Sequence, residues 1–493
     1  MKIVFLSSEV APFAKTGGLA DVTGSLPRFL AKLGLEVRIF MPLYREVQKK
    51  GFPLLKVADR LPFHWAGQED VFTVWESAES GVPVYFIDKP AFYDRDGLYG
   101  TAAGDYKDNG QRFAFFSQAS LAALKAMDFA PDVIHVHDWQ SAIALAYLKS
   151  IYGQDPFFQT TKSLCTIHNL AYQGLFERDI LKTIGLPESL FDMDGLEFFG
   201  KVNFLKAGIL YATAISTVSY RYSCEIQTPE FGCGLDGLLR KRSDVLTGIL
   251  NGVDYAAWDP AKDSLIAAPF TASDPKGKEV CKKDLQTAFG LPTAKKDLPV
   301  IGMVSRLAGQ KGLDMLIEAL GGLFPLGVQL VILGTGEAEI QESLETARRR
   351  FPSFFGLKIA FDDRLAHKIY AGSDMFLMPS RYEPCGLTQM YSLKYGAIPI
   401  VRATGGLDDS IREYDAADGR GNGFKFEACS PPALIQAVQR ALKLYAHKRA
   451  WAGLVQNAMA CDFSWERAAQ EYVLLYQNIR EERTFPVSVR SRF

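Results

Sequence analysis

Along the chain, short apolar runs alternate with stretches whose apolar residues recur at helical spacing. In the first half the runs are KIVFL (2–6), EVRIFMP (36–42), VPVYFID (82–88), DVIHVHD (132–138), SLCTIHN (163–169) and ATAISTVS (212–219). Behind KIVFL, residues Leu19, Val22, Leu26, Phe29, Leu30 and Leu33 share one helical face, and RFAFFSQASLAALKAM (112–127) reads as another helix. In the second half the runs are VIGMVSR (300–306), QLVILG (329–334), LKIAF (357–361), MFLMPS (375–380) and IPIVRA (398–403). LDMLIEAL, AEIQESLETARRR and a longer helix starting near Gly386 separate them. Continuous apolar strands alternating with helices predict parallel sheets covered on both faces. The fold class is α/β, with doubly wound sheets.

The 493 residues exceed what one core sustains, since cores stop growing beyond roughly 250–300 residues. At least two domains are expected. The region 240–300, with NGVDYAAWDP, TASDPKGK and GLPTAKKDLP, is rich in turn residues and lysine. It places the boundary near Gly248. Two open α/β domains facing each other leave a cleft, with ligands outside the carboxyl ends of the strands.

A hydrophobic share of 48% and a charged share of 23% are those of a soluble globular protein. A net charge of −1 argues against a basic nucleic-acid binder and against a polybasic membrane surface. Seven cysteines, with no CxxC pair and no zinc-finger spacing, fit reduced thiols. The N-terminal apolar run is too short for a signal peptide, and no run of 18 apolar residues occurs. A cytoplasmic location is expected.

The chemistry sits at the strand ends. KTGGLADV (15–22) follows the first run: Gly17 and Gly18 let a ligand approach the backbone, the next helix offers N–H groups, and Lys15 adds a cation. TGGL recurs at Thr404, Gly405, Gly406 and Leu407, after IPIVRA. Asp138 follows DVIHVH, placed either to cap the next helix or to bind a sugar hydroxyl. His135 and His137 alternate as HxH metal ligands can, but no further cluster accompanies them, and no metal is expected. His168 and Asn169 close SLCTI, as a strand-end pair or a satisfied buried histidine with its neighbour. Arg306 and Lys311 flank LAGQ, where a planar fork and a compact charge can clamp a diphosphate. That loop is not a Walker A, and GTGEAE (334–339) has only two of the three Rossmann glycines. In RYEPCGLTQ (381–389), Glu383, Cys385 and Gly386 precede a helix and can hold a sugar on one side and a phosphate on the other. No base partner for Cys385 is legible, which favours packing or a polar contact over a nucleophile.

KTGGLADV, HVHDW, TIHNLAYQG, NGVD (251–254), SRLAGQKGLD, EPCGLTQ and ATGGLDDS, in that order, resemble the bacterial glycogen synthase and plant starch synthase family. The resemblance runs from MKIVFLSSEVAPFAKTGGL to FSWERAAQEY (463–472). It implies a GT-B fold, two Rossmann-like domains facing a deep cleft. It implies transfer of glucose from ADP-glucose to the non-reducing end of an α-1,4-glucan with retention, needing no metal or other cofactor and involving no nucleic acid or membrane. By matching motif, Lys15, Gly17 and Gly18 contact the donor diphosphate, and Arg306 and Lys311 hold it. Asp138, His168, Asn169 and Asn251 surround the glucose and the acceptor. Glu383, Cys385 and Gly386 contact the glucosyl unit, and Leu387 and Thr388 lie near the phosphates. Thr404, Gly405 and Gly406 lend a second glycine backbone to the diphosphate. The last helices, roughly 464–482, cross back to the first domain, so the domains are 1–248, 249–463 and a terminal segment 464–493. Where many retaining relatives carry Glu-x7-Glu, the second position here is Tyr391, so no second glutamate contact is carried over.

Breaking the glucosyl–phosphate bond places negative charge on the departing ADP, and preorganised cations and N–H groups stabilise it. No nucleophile is legible on the far face of the sugar. That favours front-face transfer, with the leaving phosphate deprotonating the acceptor, a group of His168 stabilising the cationic sugar and Glu383 orienting it. Rival readings are a sucrose-synthase-like or trehalose-forming transferase, a dinucleotide oxidoreductase and an idle glucan-binding protein. The oxidoreductase lacks its GxGxxG, and an idle protein would have lost some of Lys15, His168, Arg306, Lys311 and Glu383. No base-reading residue is legible.

Overall fold

The computed structural model describes residues 1–101, 103–293 and 298–483. They form two compact units, Met1–Gly252 with the segment from Trp465 onward, and Val253–Ser464. In the first unit the apolar runs become β1 (Lys2–Leu6), β2 (Glu36–Pro42), β3 (Leu55–Trp65), β4 (Gln68–Ser77), β5 (Val84–Asp88), β6 (Val133–His137), β7 (Lys162–Ile167), β8 (Ala214–Thr217) and β9 (Leu246–Gly248). They form one sheet in the order β9-β8-β7-β6-β1-β2-β5-β4-β3. Neighbours from β9 to β5 are parallel, while β4 and β3 are antiparallel additions at one edge. Ile3–Leu6 and all of β6 are buried, because helices cover both faces. That is why these strands read as continuous apolar runs. Helix Gly18–Lys32 turns Leu19, Val22, Leu26 and Leu30 inward.

The edge hairpin was not legible as strands. β3 is mostly exposed, carries Pro62 and a register shift, and turns into β4 through Ala66 and Gly67, both at positive φ. Between β7 and β8 lies a separate three-stranded antiparallel sheet of Leu175–Phe176, Glu197–Phe198 and Lys201–Asn203.

The second unit contains β10 (Val300–Val304), β11 (Gln329–Gly334), β12 (Phe355–Ile359), β13 (Met375–Met378), β14 (Ile398–Arg402) and β15 (Phe424–Phe426). All pairs are parallel, in the order β12-β11-β10-β13-β14-β15. Strand β12 starts two residues before the expected LKIAF: Phe355 is 1% exposed, whereas Phe361 is 89% exposed and lies beyond the strand. The helix expected from Gly386 spans only Thr388–Lys394. Gly396, at φ +63, ends it in the usual left-handed stop.

The units part after Gly252 rather than at Gly248. Ile249 still donates to the Thr217 carbonyl (2.9 Å), and a Cβ on Gly252 would strike Trp465. Helix Trp465–Arg480 belongs to the first unit, where the Tyr476 hydroxyl meets His135 Nδ1 at 2.8 Å. Among the described residues no helix is long and apolar enough to cross a membrane.

Each sheet has a switch point, where the strand order reverses and the loops on either side splay apart to leave a ligand crevice. In the first it lies between β1 and β6, and in the second between β10 and β13. The loops after those four strands carry Lys15–Gly18, Asp138, Arg306–Lys311 and Glu383–Thr388.

Candidate active site

The candidate residues fall into two groups, one in each unit. In the first unit the turn after β1 is built round Glu9. Its buried carboxylate accepts from the Thr16 N–H (2.5 Å) and hydroxyl (2.6 Å), the Gly17 N–H (3.2 Å) and the Tyr99 hydroxyl (2.6 Å). Those amides are therefore already satisfied. Gly17 (φ −155) sits in extended backbone, and a Cβ on Gly17 or Gly18 would meet nothing within 4 Å. Neither glycine serves the fold; both leave open space above the turn. The Lys15 ammonium lies 2.6 Å from Asp21. Such a partly exposed pair contributes about 0–1 kcal/mol, so an arriving anion can recruit Lys15 at little cost.

Asp138 does not cap a helix. It is the first residue of the short helix Asp138–Ala142 and holds left-handed backbone (φ +53), unusual for a non-glycine residue. Its buried carboxylate accepts the main-chain N–H of His168 at 2.7 Å. Burial pushes its pKa up to about 7, against the opposing pull of the His168 and Asn169 N–H groups. The two strand ends of β6 and β7 are thus tied together through predicted site residues.

His168 Nε2 lies 3.0 Å from His137 Nδ1, and the His137 and His135 rings are 4.0 Å apart. His135 spends its nitrogens on Tyr476 (2.8 Å) and Thr166 (2.5 Å). Burial lowers all three pKa values, that of His168 to about 3, so the column is neutral at physiological pH. Among the described residues no group of three or more His, Cys, Asp and Glu side chains is placed to hold a metal ion. Asn169 Oδ1 accepts from the Ala171 N–H (3.1 Å), closing a tight turn. Asn251 is 6% exposed, and its Oδ1 has no partner among the described residues.

In the second unit, Lys311 Nζ and Glu383 Oε2 form a 2.6 Å ion pair, with side chains 15% and 9% exposed. The Ser380 hydroxyl donates to the same oxygen at 3.0 Å. Arg306 is exposed, and among the described residues its side chain makes one bond, Nη2 to Gln310 Oε1 at 3.1 Å. Gln310 also joins the two loops: its Nε2 donates to the Tyr382 carbonyl (3.2 Å), and its carbonyl accepts from the Arg381 N–H (2.8 Å). Buried Gln389 gathers the carbonyls of Cys385 (3.1 Å) and Gly386 (3.0 Å) and the Ser410 hydroxyl (3.1 Å). Cys385 is buried in that loop, and Leu387 and Thr388 are half-buried at the start of the helix. Thr388 Oγ1 lies 3.2 Å from Met378 Sδ.

The second TGGL differs physically from the first. Thr404, Gly405 and Gly406 are buried. A Cβ on Gly405 would collide with the Glu383 carbonyl oxygen, and one on Gly406 with that of Cys385. The Gly406 N–H already donates to the Glu383 carbonyl (3.1 Å). These glycines brace the Glu383–Gly386 loop, and the Gly406 amide is not open to a diphosphate. Tyr391, at the glutamate position of other retaining enzymes, stacks on Trp258 (4.0 Å, 8° between planes). His367 covers the other face of Trp258 (4.0 Å, 11°), so Tyr391 is a packing residue.

Sequence reading gave no role to Glu9, Tyr99, Ser380 and Gln389 and weighed His137 only as a metal ligand: Glu9 and Tyr99 meet from far apart in the chain, and Ser380 and Gln389 bond locally to loop residues that the motifs singled out for other reasons. It also missed Phe361, an exposed aromatic ring on the loop after β12 at the ligand end of the second sheet.

Two family models match the chain: a starch synthase catalytic domain over residues 2–241 and glycosyl transferases group 1 over residues 288–453. A glycogen synthase of Koribacter versatilis is 47% identical, covering 98% of this chain and 99% of that one. One of Geotalea uraniireducens is 49% identical over 97% and 98%. The solved catalytic domain of starch synthase IV from Arabidopsis thaliana, bound to ADP and acarbose, superposes with a TM-score of 0.89 at 34% identity, covering 97% of this chain and 99% of that one. A sucrose-phosphate synthase from Thermosynechococcus elongatus shares the fold at 16% identity and a TM-score of 0.60.

Proposed function

The chain belongs to the glycogen synthase and starch synthase family, and we propose on that premise how its residues transfer glucose from ADP-glucose to the non-reducing end of an α-1,4-glucan, with retention of configuration and release of ADP. The fold is the two-domain GT-B fold. The observation that carries the reading is the buried Lys311–Glu383 pair at the switch point of the second sheet. A cation fixed in a poorly hydrated place acts more strongly on a departing phosphate than one in water.

In this reading Lys311 and Arg306 stabilise the charge that develops on the leaving ADP, and Lys15 exchanges Asp21 for a phosphate oxygen. Gly17 and Gly18 supply clearance for the donor. Glu383 orients the glucosyl unit, with Cys385, Gly386, Leu387 and Thr388 shaping its surroundings. Asp138, Asn169 and Asn251 bind sugar hydroxyls. His168 is neutral, so it does not oppose the positive charge growing on the sugar, and its lone pair or carbonyl dipole can favour it. The phosphate takes the acceptor proton on the face it leaves, which accounts for retention without a protein nucleophile. The route needs no cofactor beyond the donor substrate, no nucleic acid and no membrane, and it fits a cytoplasmic enzyme.

Mass spectrometry of the protein quenched during turnover tests the route. Glucan growth without a glucosyl adduct is expected. An adduct on a carboxylate, competent to pass its glucose to maltotriose, would replace front-face transfer with double displacement.

A further inference from the structure

The small antiparallel sheet of the first unit and the turns around its strands present apolar side chains to solvent instead of burying them. Tyr172 is 53% exposed, Leu175 44%, Met193 81% and Phe199 83%. Exposed apolar groups concentrated on one small element mark a contact surface more often than scattered ones do. The segment is also held rigidly. Buried Lys206 donates to the carbonyls of Met193 (2.8 Å) and Glu197 (2.6 Å), and the Gly200 N–H donates to Glu197 Oε1 (2.7 Å). Phe199 forms the hairpin tip in left-handed backbone (φ +50), a conformation glycine or asparagine adopts more easily. The fold thus displays a large ring where a smaller residue would strain it less.

Two observations identify the occupant. The surface continues from the reaction centre: the Tyr172 N–H donates to the Asn169 carbonyl (3.2 Å), and Leu175 pairs with Asn203 in the same sheet. Its rim carries carboxylates, Asp192 and Asp194 on the connecting loop and Glu197 at the start of a strand, interspersed with Lys201 and Lys241, the latter 3.8 Å from Asp194. Charges of both signs leave no basic field to hold a polyanion, while the carboxylates accept hydrogen bonds from hydroxyl groups. A neutral polymer with hydroxyl edges and apolar C–H faces matches both features.

We propose that Tyr172, Leu175, Met193 and Phe199 form a platform for the non-terminal glucose units of the α-1,4-glucan acceptor. This rests on the glucan-elongating activity proposed above. The rings and the thioether cover sugar C–H faces, and the rim carboxylates take the hydroxyls.

The test uses the full chain with Phe199→Asn, which suits the left-handed backbone, Met193→Ser, and Phe199→Trp as the conservative variant. Apparent KM is measured for glycogen, for maltotriose and for ADP-glucose. One lost ring or thioether contact is expected to raise KM for glycogen about 3- to 10-fold in the first two variants, leaving the maltotriose and donor constants and kcat unchanged. Phe199→Trp should match the parent. An unchanged KM for glycogen in both Phe199→Asn and Met193→Ser overturns the platform, as does a parallel loss with maltotriose. Retardation in glycogen-containing native gels gives a readout independent of turnover. If the parent elongates no glucan yet is retarded and the variants are not, the reaction reading fails and the platform stands. Loss of self-association with unchanged retardation assigns the surface to a second copy instead and overturns the proposal.

Discussion

Arg306→Ala and Lys311→Ala separate catalysis from folding. Each removes a cation assigned to the departing phosphate, and loss of one preorganised group of this kind costs about 10²–10³ in kcat, or about 3–4 kcal/mol of barrier. Their effects on stability differ. Arg306 is exposed and holds one 3.1 Å bond to Gln310, so its truncation changes unfolding free energy by no more than about 0.5 kcal/mol. Lys311 is 15% exposed and pairs with a Glu383 side chain that is 9% exposed. Its removal leaves a buried carboxylate whose one remaining side-chain partner among the described residues is the Ser380 hydroxyl, which costs about 3–5 kcal/mol. Adding Glu383→Gln to Lys311→Ala removes the stranded charge and restores most of that stability while activity stays low. Steady-state ADP release and urea unfolding read the two effects separately. Near-normal turnover in both single variants refutes the clamp. Equal stability of the two single variants refutes the buried pair.

Asp138 gives the chain a pH dependence of defined sign. Its folded pKa of about 7 exceeds the ordinary value near 3.9, so between those values the folded state binds more protons than the unfolded chain. The contribution of Asp138 to stability therefore falls as pH rises from about 4 to 7 and levels off above, by about 4 kcal/mol in total, opposite in sign to that of the three buried histidines, whose lowered pKa values make their contribution rise over the same window. Asp138→Asn keeps an acceptor for the His168 N–H without the buried charge, and its unfolding free energy should gain on the parent by that amount across the same window; parallel pH profiles would contradict this. Gly17→Ala should leave the unfolding midpoint unchanged while raising KM for the donor, because the space above it is open. Gly406→Ala should cost about 1–3 kcal/mol of stability by collision with Cys385, and equal unfolding midpoints for the two alanine variants would remove the distinction between the two TGGL turns.

What was legible in the sequence follows from what local pattern encodes. Strands β1, β2 and β11 were readable to their ends because both faces are covered, and their residues announce it. β3 and β4 were not, since an exposed edge hairpin with a proline and a shifted register has neither continuous burial nor clean alternation. Lys15, Asp138, Arg306, Lys311 and Glu383 could be nominated for the candidate site because strand ends with charge and glycine stand out in the sequence. The likeness of the two TGGL turns misled. Identical letters do opposite work when one turn faces open space and the other is wedged against a carbonyl. The Glu9 carboxylate, the neutral histidine column and the Trp258 sandwich depend on residues far apart in the chain, which only the folded structure brings together.

The central claim is that this chain extends an α-1,4-glucan with glucose taken from ADP-glucose at the site containing Lys311 and Glu383. Incorporation of labelled glucose into glycogen, from ADP-glucose and UDP-glucose side by side, tests it most directly. The account predicts alkali-stable label in glycogen from ADP-glucose, far less from UDP-glucose, and about 10²–10³-fold less from ADP-glucose with Lys311→Ala. Equal use of both donors, or incorporation that survives Lys311→Ala unchanged, would contradict it.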